Sequence, residues 1–117
     1  MLCMPERTVP LFLQDIIDAI NNIGDYTAGL TYDDFTHVKI VIDATVRNLE
    51  IIGEAANNLP EALIQDHSEI PWSRYIGMRN RITHAYFGVS LQVVWDTVQE
   101  DLPVLKQAVE KIKSELV

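Results

Sequence analysis

The stretch VIDATVRNLEIIGEA, residues 41 to 55, decides the fold. Wound at about 100° per residue, it gathers Asp43, Arg47, Glu50 and Glu54 within about 60° of one another. Most of the remaining circumference is Val41, Ile42, Ala44, Val46, Leu49, Ile51, Ile52 and Ala55. A helix that is apolar nearly all round, with one thin charged stripe, belongs at the centre of a helical protein. Gly53 in its interior costs roughly 1 kcal/mol relative to Ala, which predicts close approach by another helix. The spacing predicts that this central helix runs from about Tyr32 to Leu59.

Upstream, Phe12, Ile16, Ile20 and Ile23 repeat every three or four residues. They predict a first helix from Val9 or Pro10 to Tyr26, with Pro10 tolerated in its first turn. Gly29 and Thr31 then punctuate, and Thr31-Tyr32-Asp33-Asp34 resembles a helix start. Downstream, Pro60 and Pro71 bracket a short helix, Pro60 to Asp66. Trp72 to Phe87 reads as another, stopped by Gly88. From Ser90 to Glu115, Leu91, Trp95, Val98, Leu102, Leu105, Val109, Ile112 and Leu116 alternate steps of four and three. That stripe predicts one long helix, kinked rather than divided at Pro103. Its seven-residue spacing also suits a dimer interface. No segment alternates with period two. The fold class is therefore all-α, an up-down bundle of four to five helices in a single domain, residues 1–117.

The chain has 117 residues, 48% of them apolar, and 17 acids against 9 bases for a net charge of −8. Such a balance argues against a sequence-blind nucleic-acid coat, because phosphate contacts dominate that kind of affinity. Cys3 is the only cysteine, so neither a disulfide framework nor a thiolate metal cage is expected. A cytoplasmic, reducing environment is the natural compartment. No apolar run approaches the roughly 18 residues of a membrane span, and the N-terminus lacks a signal pattern.

Charge is unevenly spread. From Ile70 to Trp95 there is no Asp or Glu, while Arg74, Arg79 and Arg81 all fall inside. Met78-Arg79-Asn80-Arg81-Ile82-Thr83-His84-Ala85-Tyr86-Phe87 concentrates guanidinium, carboxamide, hydroxyl, imidazole and phenol on this cationic island. On a regular helix Arg79, Thr83 and Tyr86 lie within about 40°, whereas Arg79 and His84 are about 140° apart. Either the helix unwinds at His84 or a second copy of the chain completes the site. Asn80, four residues before His84, is placed to fix its tautomer.

These groups suit phosphoryl chemistry without metal. Breaking RNA by internal attack of the 2′-hydroxyl needs a base, an acid and fixed positive charge on the phosphate. A histidine titrating near neutrality supplies the first two, and an arginine fork the third. No carboxylate cluster stands ready for a two-metal site, and His37 and His67 share no ligand spacing with His84, so no metal or cofactor is expected.

Arg79, four residues, His84, one residue, Tyr86 resembles the RX4HXY motif of the HepT family in the HEPN superfamily. The resemblance extends to Arg47-Asn48-Leu49-Glu50-Ile51-Ile52-Gly53-Glu54-Ala55, Ile70-Pro71-Trp72, Gly77-Met78-Arg79-Asn80, Tyr86-Phe87-Gly88-Val89, Val94-Trp95 and Asp101-Leu102-Pro103. It implies a HEPN-like helical fold and a toxin ribonuclease of a type VII toxin–antitoxin pair. Arg79 and His84 would be catalytic, in a cleft formed by a homodimer. Tyr86 would receive AMP from a minimal nucleotidyltransferase (MNT) antitoxin, which adds negative charge where substrate phosphate must sit. Ala85 departs from the pattern, since relatives often carry an acid there.

Around that pair, Asn80 and Thr83 are candidate supporting residues, as are Glu54 and Asp43 of the central stripe, one or the other of which would orient Arg79. The plainer reading of that stripe is a set of helical ion pairs. Arg74 and Arg81 are candidates for steering RNA phosphates, and Trp72 and Trp95 are expected in the core. An alternative function is a catalytically inactive helical module that docks a nucleotidyltransferase or binds a nucleotide.

Overall fold

The computed structural model describes residues 8–85 and 90–116, with the side chains of 79–85 outside that description. Its elements are α1 (Val9–Thr27), α2 (Tyr32–His37), α3 (Lys39–Asn57), α4 (Glu61–Asp66), α5 (Trp72–Ala85), α6 (Leu91–Asp96), a π turn (Thr97–Asp101) and α7 (Leu102–Glu115). No strand occurs among the described residues, and the fold is an all-α bundle. The end of α5 expected at Phe87, with Gly88 as its stop, lies outside the described residues.

The central helix is as buried as its composition demands. α3 packs on α1 along one side and on α5 along another. Ile42, Val46, Leu49, Ile52, Gly53, Ala55 and Ala56 are buried, while Asp43, Arg47 and Glu54 stay exposed. Leu13, Ile16, Ile20 and Ile23 of α1 complete the core on one side, and Trp72, Tyr75 and Met78 of α5 on the other. Asn22 donates to Asn48 Oδ1 across α1 and α3 at 3.3 Å, and Lys113 of α7 donates to Gln14 Oε1 of α1 at 2.6 Å.

One expected boundary was wrong. Tyr32 to Leu59 is not a single helix: Val38, at φ −116° and ψ 90°, separates α2 from α3. The cause is local. Thr36 Oγ1 donates to the Asp33 carbonyl at 2.7 Å and His37 Nδ1 approaches the same oxygen at 2.7 Å. Side chains that occupy a backbone acceptor compete with helix continuation. The start read at Thr31 is sound, because Asp34 N–H donates to Thr31 Oγ1 and Thr31 N–H to Asp34 Oδ2, each at 3.1 Å. The Thr31 backbone N–H, and after it the Thr31 side-chain hydroxyl, hold the Asp34 carboxyl below its usual range.

The last helix also differs from expectation in detail. Pro103 does not divide it, but the five residues before Leu102 widen into a π turn, with Leu102 N–H donating to the Thr97 carbonyl. Proline has no N–H and its ring crowds the carbonyl four residues back, so one extra residue in the turn relieves both problems. Val94 rather than Trp95 is fully buried, and Leu91 and Trp95 are only partly covered. Trp95 instead leans on α2, its ring 5.2 Å from Phe35 and 6.2 Å from Tyr32. Leu116, expected to continue the stripe, is 46% exposed.

Candidate functional site

α5 carries most of the residues on which a functional reading rests, and the core fixes how it starts. Pro71 begins the turn, with Arg74 N–H donating to the Pro71 carbonyl at 3.0 Å. Trp72 Nε1 donates to the His67 carbonyl at 3.0 Å, which ties the helix start to the end of α4. Trp72, Tyr75 and Met78 are buried, so α5 cannot rotate without emptying the core.

That anchoring sets the register of everything downstream. α5 is helical through Ala85, so the chain does not unwind at His84. Position 79, seven residues after the buried Trp72, lies about 20° from it round the helix. Position 84, twelve residues after, lies about 120° from it. The two motif positions therefore remain about 140° apart. Positions 80, 81 and 83 are on the same helix, with their side chains outside the described set. Tyr86, the candidate modification site, lies wholly outside the described residues.

The central stripe does not act as one group. Lys39 Nζ lies 3.2 Å from Asp43 Oδ2, an exposed pair near the start of α3. Glu54 sits eleven residues on, about 16 Å along the axis. There it lines a cleft of about 230 Å³ between α1 and α3 with Phe12, Asp15, Arg47, Ile51 and Asn58. Asp43 and Glu54 therefore stand at separate places along α3.

Arg74 is not a lone steering cation. Its Nη2 lies 2.8 Å from Asp101 Oδ2, which reaches across from the π turn. Nothing in the helical periodicity pointed to this pair. Asp101-Leu102-Pro103 stood out as a motif, but its geometry depends on the π turn. Beside the pair, burial above all pushes the Tyr75 phenol up to about 12, with the Asp101 charge adding to the effect.

Among the described residues no group of three His, Cys, Asp or Glu is arranged to hold a metal ion. No helix among them is long and apolar enough to cross a membrane.

Residues 16–112 match the family model for the ribonuclease HepT-like proteins. The chain belongs to the HepT-like ribonuclease family. It is 44% identical over 108 residues to the "Probable ribonuclease HepT" of Thermococcus cleftensis, spanning 92% of this chain and 98% of that protein. It is 37% identical over 109 residues to "Putative RNase MJ0127" of Methanocaldococcus jannaschii, 93% of this chain and 90% of the relative. A third relative, "Putative RNase TTE0752" of Caldanaerobacter subterraneus subsp. tengcongensis, is 36% identical over 106 residues, 91% and 95% of the two chains. No solved structure matches. The family match takes in all of α3, α5 and the π turn and most of α7.

Proposed function

We propose that this HepT-like chain is a metal-independent endoribonuclease, the toxin of a type VII HEPN/MNT toxin–antitoxin pair. The observation that carries the reading is the intact spacing of Arg79, His84 and Tyr86 on a chain belonging to a ribonuclease family. His84 would take the proton from a 2′-hydroxyl as that oxygen attacks the neighbouring phosphate. The same ring would return a proton to the departing 5′-oxygen, leaving a 2′,3′-cyclic phosphate and a free 5′-hydroxyl. Arg79 would hold the phosphate oxygens as charge builds on them.

The unbroken register of α5 supports a two-chain site, because one helix cannot turn positions 79 and 84 toward one phosphate. A homodimer in which each chain supplies one of the pair meets that constraint. AMP added to Tyr86 by a minimal nucleotidyltransferase would place negative charge and bulk beside the pair and silence it.

The test is cleavage of RNA in EDTA by the unmodified protein. Arg79→Ala and His84→Ala should each lower the rate by at least about 100-fold. Equal trace activity in all three proteins would remove catalysis from this site.

A second reading is favoured by the net charge of −8. In it the chain is an inactive module that docks the nucleotidyltransferase. Intact mass after coexpression separates the two. Added AMP marks a toxin being silenced, and a stable unmodified complex without ribonuclease activity marks a scaffold.

A further inference from the structure

Arg74 stands where helix electrostatics disfavour a cation. It lies in the first turn of α5, at the positive end of the helix dipole, and that turn holds no acid. Its partner is no ordinary stabilising contact either. Asp101 Oδ2 is shielded from solvent and lies 2.8 Å from Arg74 Nη2, yet among the described residues it receives no hydrogen bond of good geometry. The Arg74 side chain is itself 51% exposed, and pairs with one exposed member and poor alignment add little to stability. A buried carboxylate oxygen without a directed bond calls for another explanation.

The contact uses one nitrogen of a group that carries five N–H donors. It holds the guanidinium in place and leaves donors on its exposed half. Among the described residues, and its own helix backbone and chain neighbours apart, no atom lies within 4 Å of where a Cβ on Gly77 would stand, so the space beside α5 is open at that level. Positions 74, 77, 81 and 84 follow the i, i+3, i+7, i+10 spacing of a single helix face. A line of about 15 Å along the axis therefore runs from Arg74, past the open step at Gly77, through the position of Arg81 to that of His84. No acid in the sequence interrupts it, because Ile70 to Trp95 contains none.

We propose that Arg74, held by Asp101, is a phosphate subsite for single-stranded RNA, with Gly77 leaving room for the sugar–phosphate backbone on its way to the reacting centre. The inference rests on the ribonuclease reading and says where along α5 the substrate strand lies. Asp101 is then a positioning residue that acts through Arg74.

The test uses the full chain and two independent variants. Arg74→Gln combined with Asp101→Asn removes both charges, so no buried carboxylate is stranded. Gly77→Glu sets a carboxylate beside the line, at a position where a Cβ meets no described atom beyond its own helix backbone and chain neighbours. The probe is a fluorescein-labelled 2′-O-methyl oligoribonucleotide, which cannot undergo internal attack, followed by anisotropy across a salt series. In the double variant the slope of log affinity against log salt should flatten by about 0.7, the contribution of one single-strand phosphate. Kd for the probe, and KM for a cleavable oligoribonucleotide of the same length, should each rise about tenfold in both variants. Helical circular dichroism should stay at the wild-type value. If both variants keep the wild-type slope and Kd while RNA is still cleaved, the subsite falls and the ribonuclease reading stands. If the probe binds with the Arg74-dependent slope but no RNA is cut, the ribonuclease reading falls and the subsite stands.

Discussion

Asn48 is buried in α3 with both ends of its carboxamide engaged: it accepts from Asn22 of α1 at 3.3 Å and donates to the Ala44 carbonyl at 2.9 Å. This is a buried polar link between α1 and α3, and it tolerates changes unequally. Asn48→Asp removes the donor and leaves an acid where water is scarce. It should cost about 1–3 kcal/mol of stability. Asn48→Leu keeps the volume and removes both polar ends, so it should cost less. Urea midpoints of the three proteins check the order, and an Asp variant as stable as the Leu variant would overturn it.

Glycines divide by backbone rather than by neighbours. Gly24 and Gly77 are helical, and among the described residues no atom beyond their own helix backbone and chain neighbours lies within 4 Å of where a methyl group would stand, whereas Gly29 sits at φ 76°. Gly24→Ala and Gly77→Ala should each raise stability by about 0.5–1 kcal/mol, because alanine loses less chain entropy. Gly29→Ala should lower it by about 1–2 kcal/mol, since only glycine visits that region without strain. Denaturant titration of the three variants gives both signs at once.

Tyr75 makes the protein sensitive to alkali. Its phenol is pushed up to about 12 by burial first and by Asp101 second, against an ordinary value of 10.0. The fold favours the neutral form, so this contribution is complete below about pH 10 and is lost as pH rises toward about 12. The thermal midpoint should fall across that window, and Tyr75→Phe should flatten the fall. Identical profiles for the two proteins between about pH 9 and 11.5 would contradict it.

If the reacting pair is split between two chains, two dead proteins can restore each other. An Arg79→Ala subunit keeps His84, and a His84→Ala subunit keeps Arg79. A mixed dimer therefore holds one complete site and one doubly damaged site. Random mixing by coexpression should return about a quarter of the wild-type activity, because about half the dimers are mixed and each has one working site. Activity no higher than that of the separate variants would place both residues in one chain.

The thin charged stripe on residues 41 to 55 was enough to identify α3 as the helix the others cover, because burial follows from composition around a circumference. The break at Val38 was not legible in the same way. It comes from Thr36 and His37 bonding back to Asp33, a competition that apolar periodicity does not register. Arg79 and His84 were legible as a spacing, and α5 bears out their separation round the helix. The Arg74–Asp101 pair was hidden because it joins two distant helices through a turn that is neither α nor loop. The placing of Glu54 and Asp43 at distant points of α3 follows from rise per residue, which matters as much as angle.

The π turn before Leu102 has a consequence for how the last helix meets its neighbours. α6 lies against α2, while α7 lies against α1. One rod thus meshes with two separate partners, and the added residue acts as an offset between their gears. Removing a single residue from Thr97–Asp101 would turn all of α7 by about 100° relative to α6. Leu105, Val109 and Ile112 would swing off the core, and Asp101 would lose its aim at Arg74.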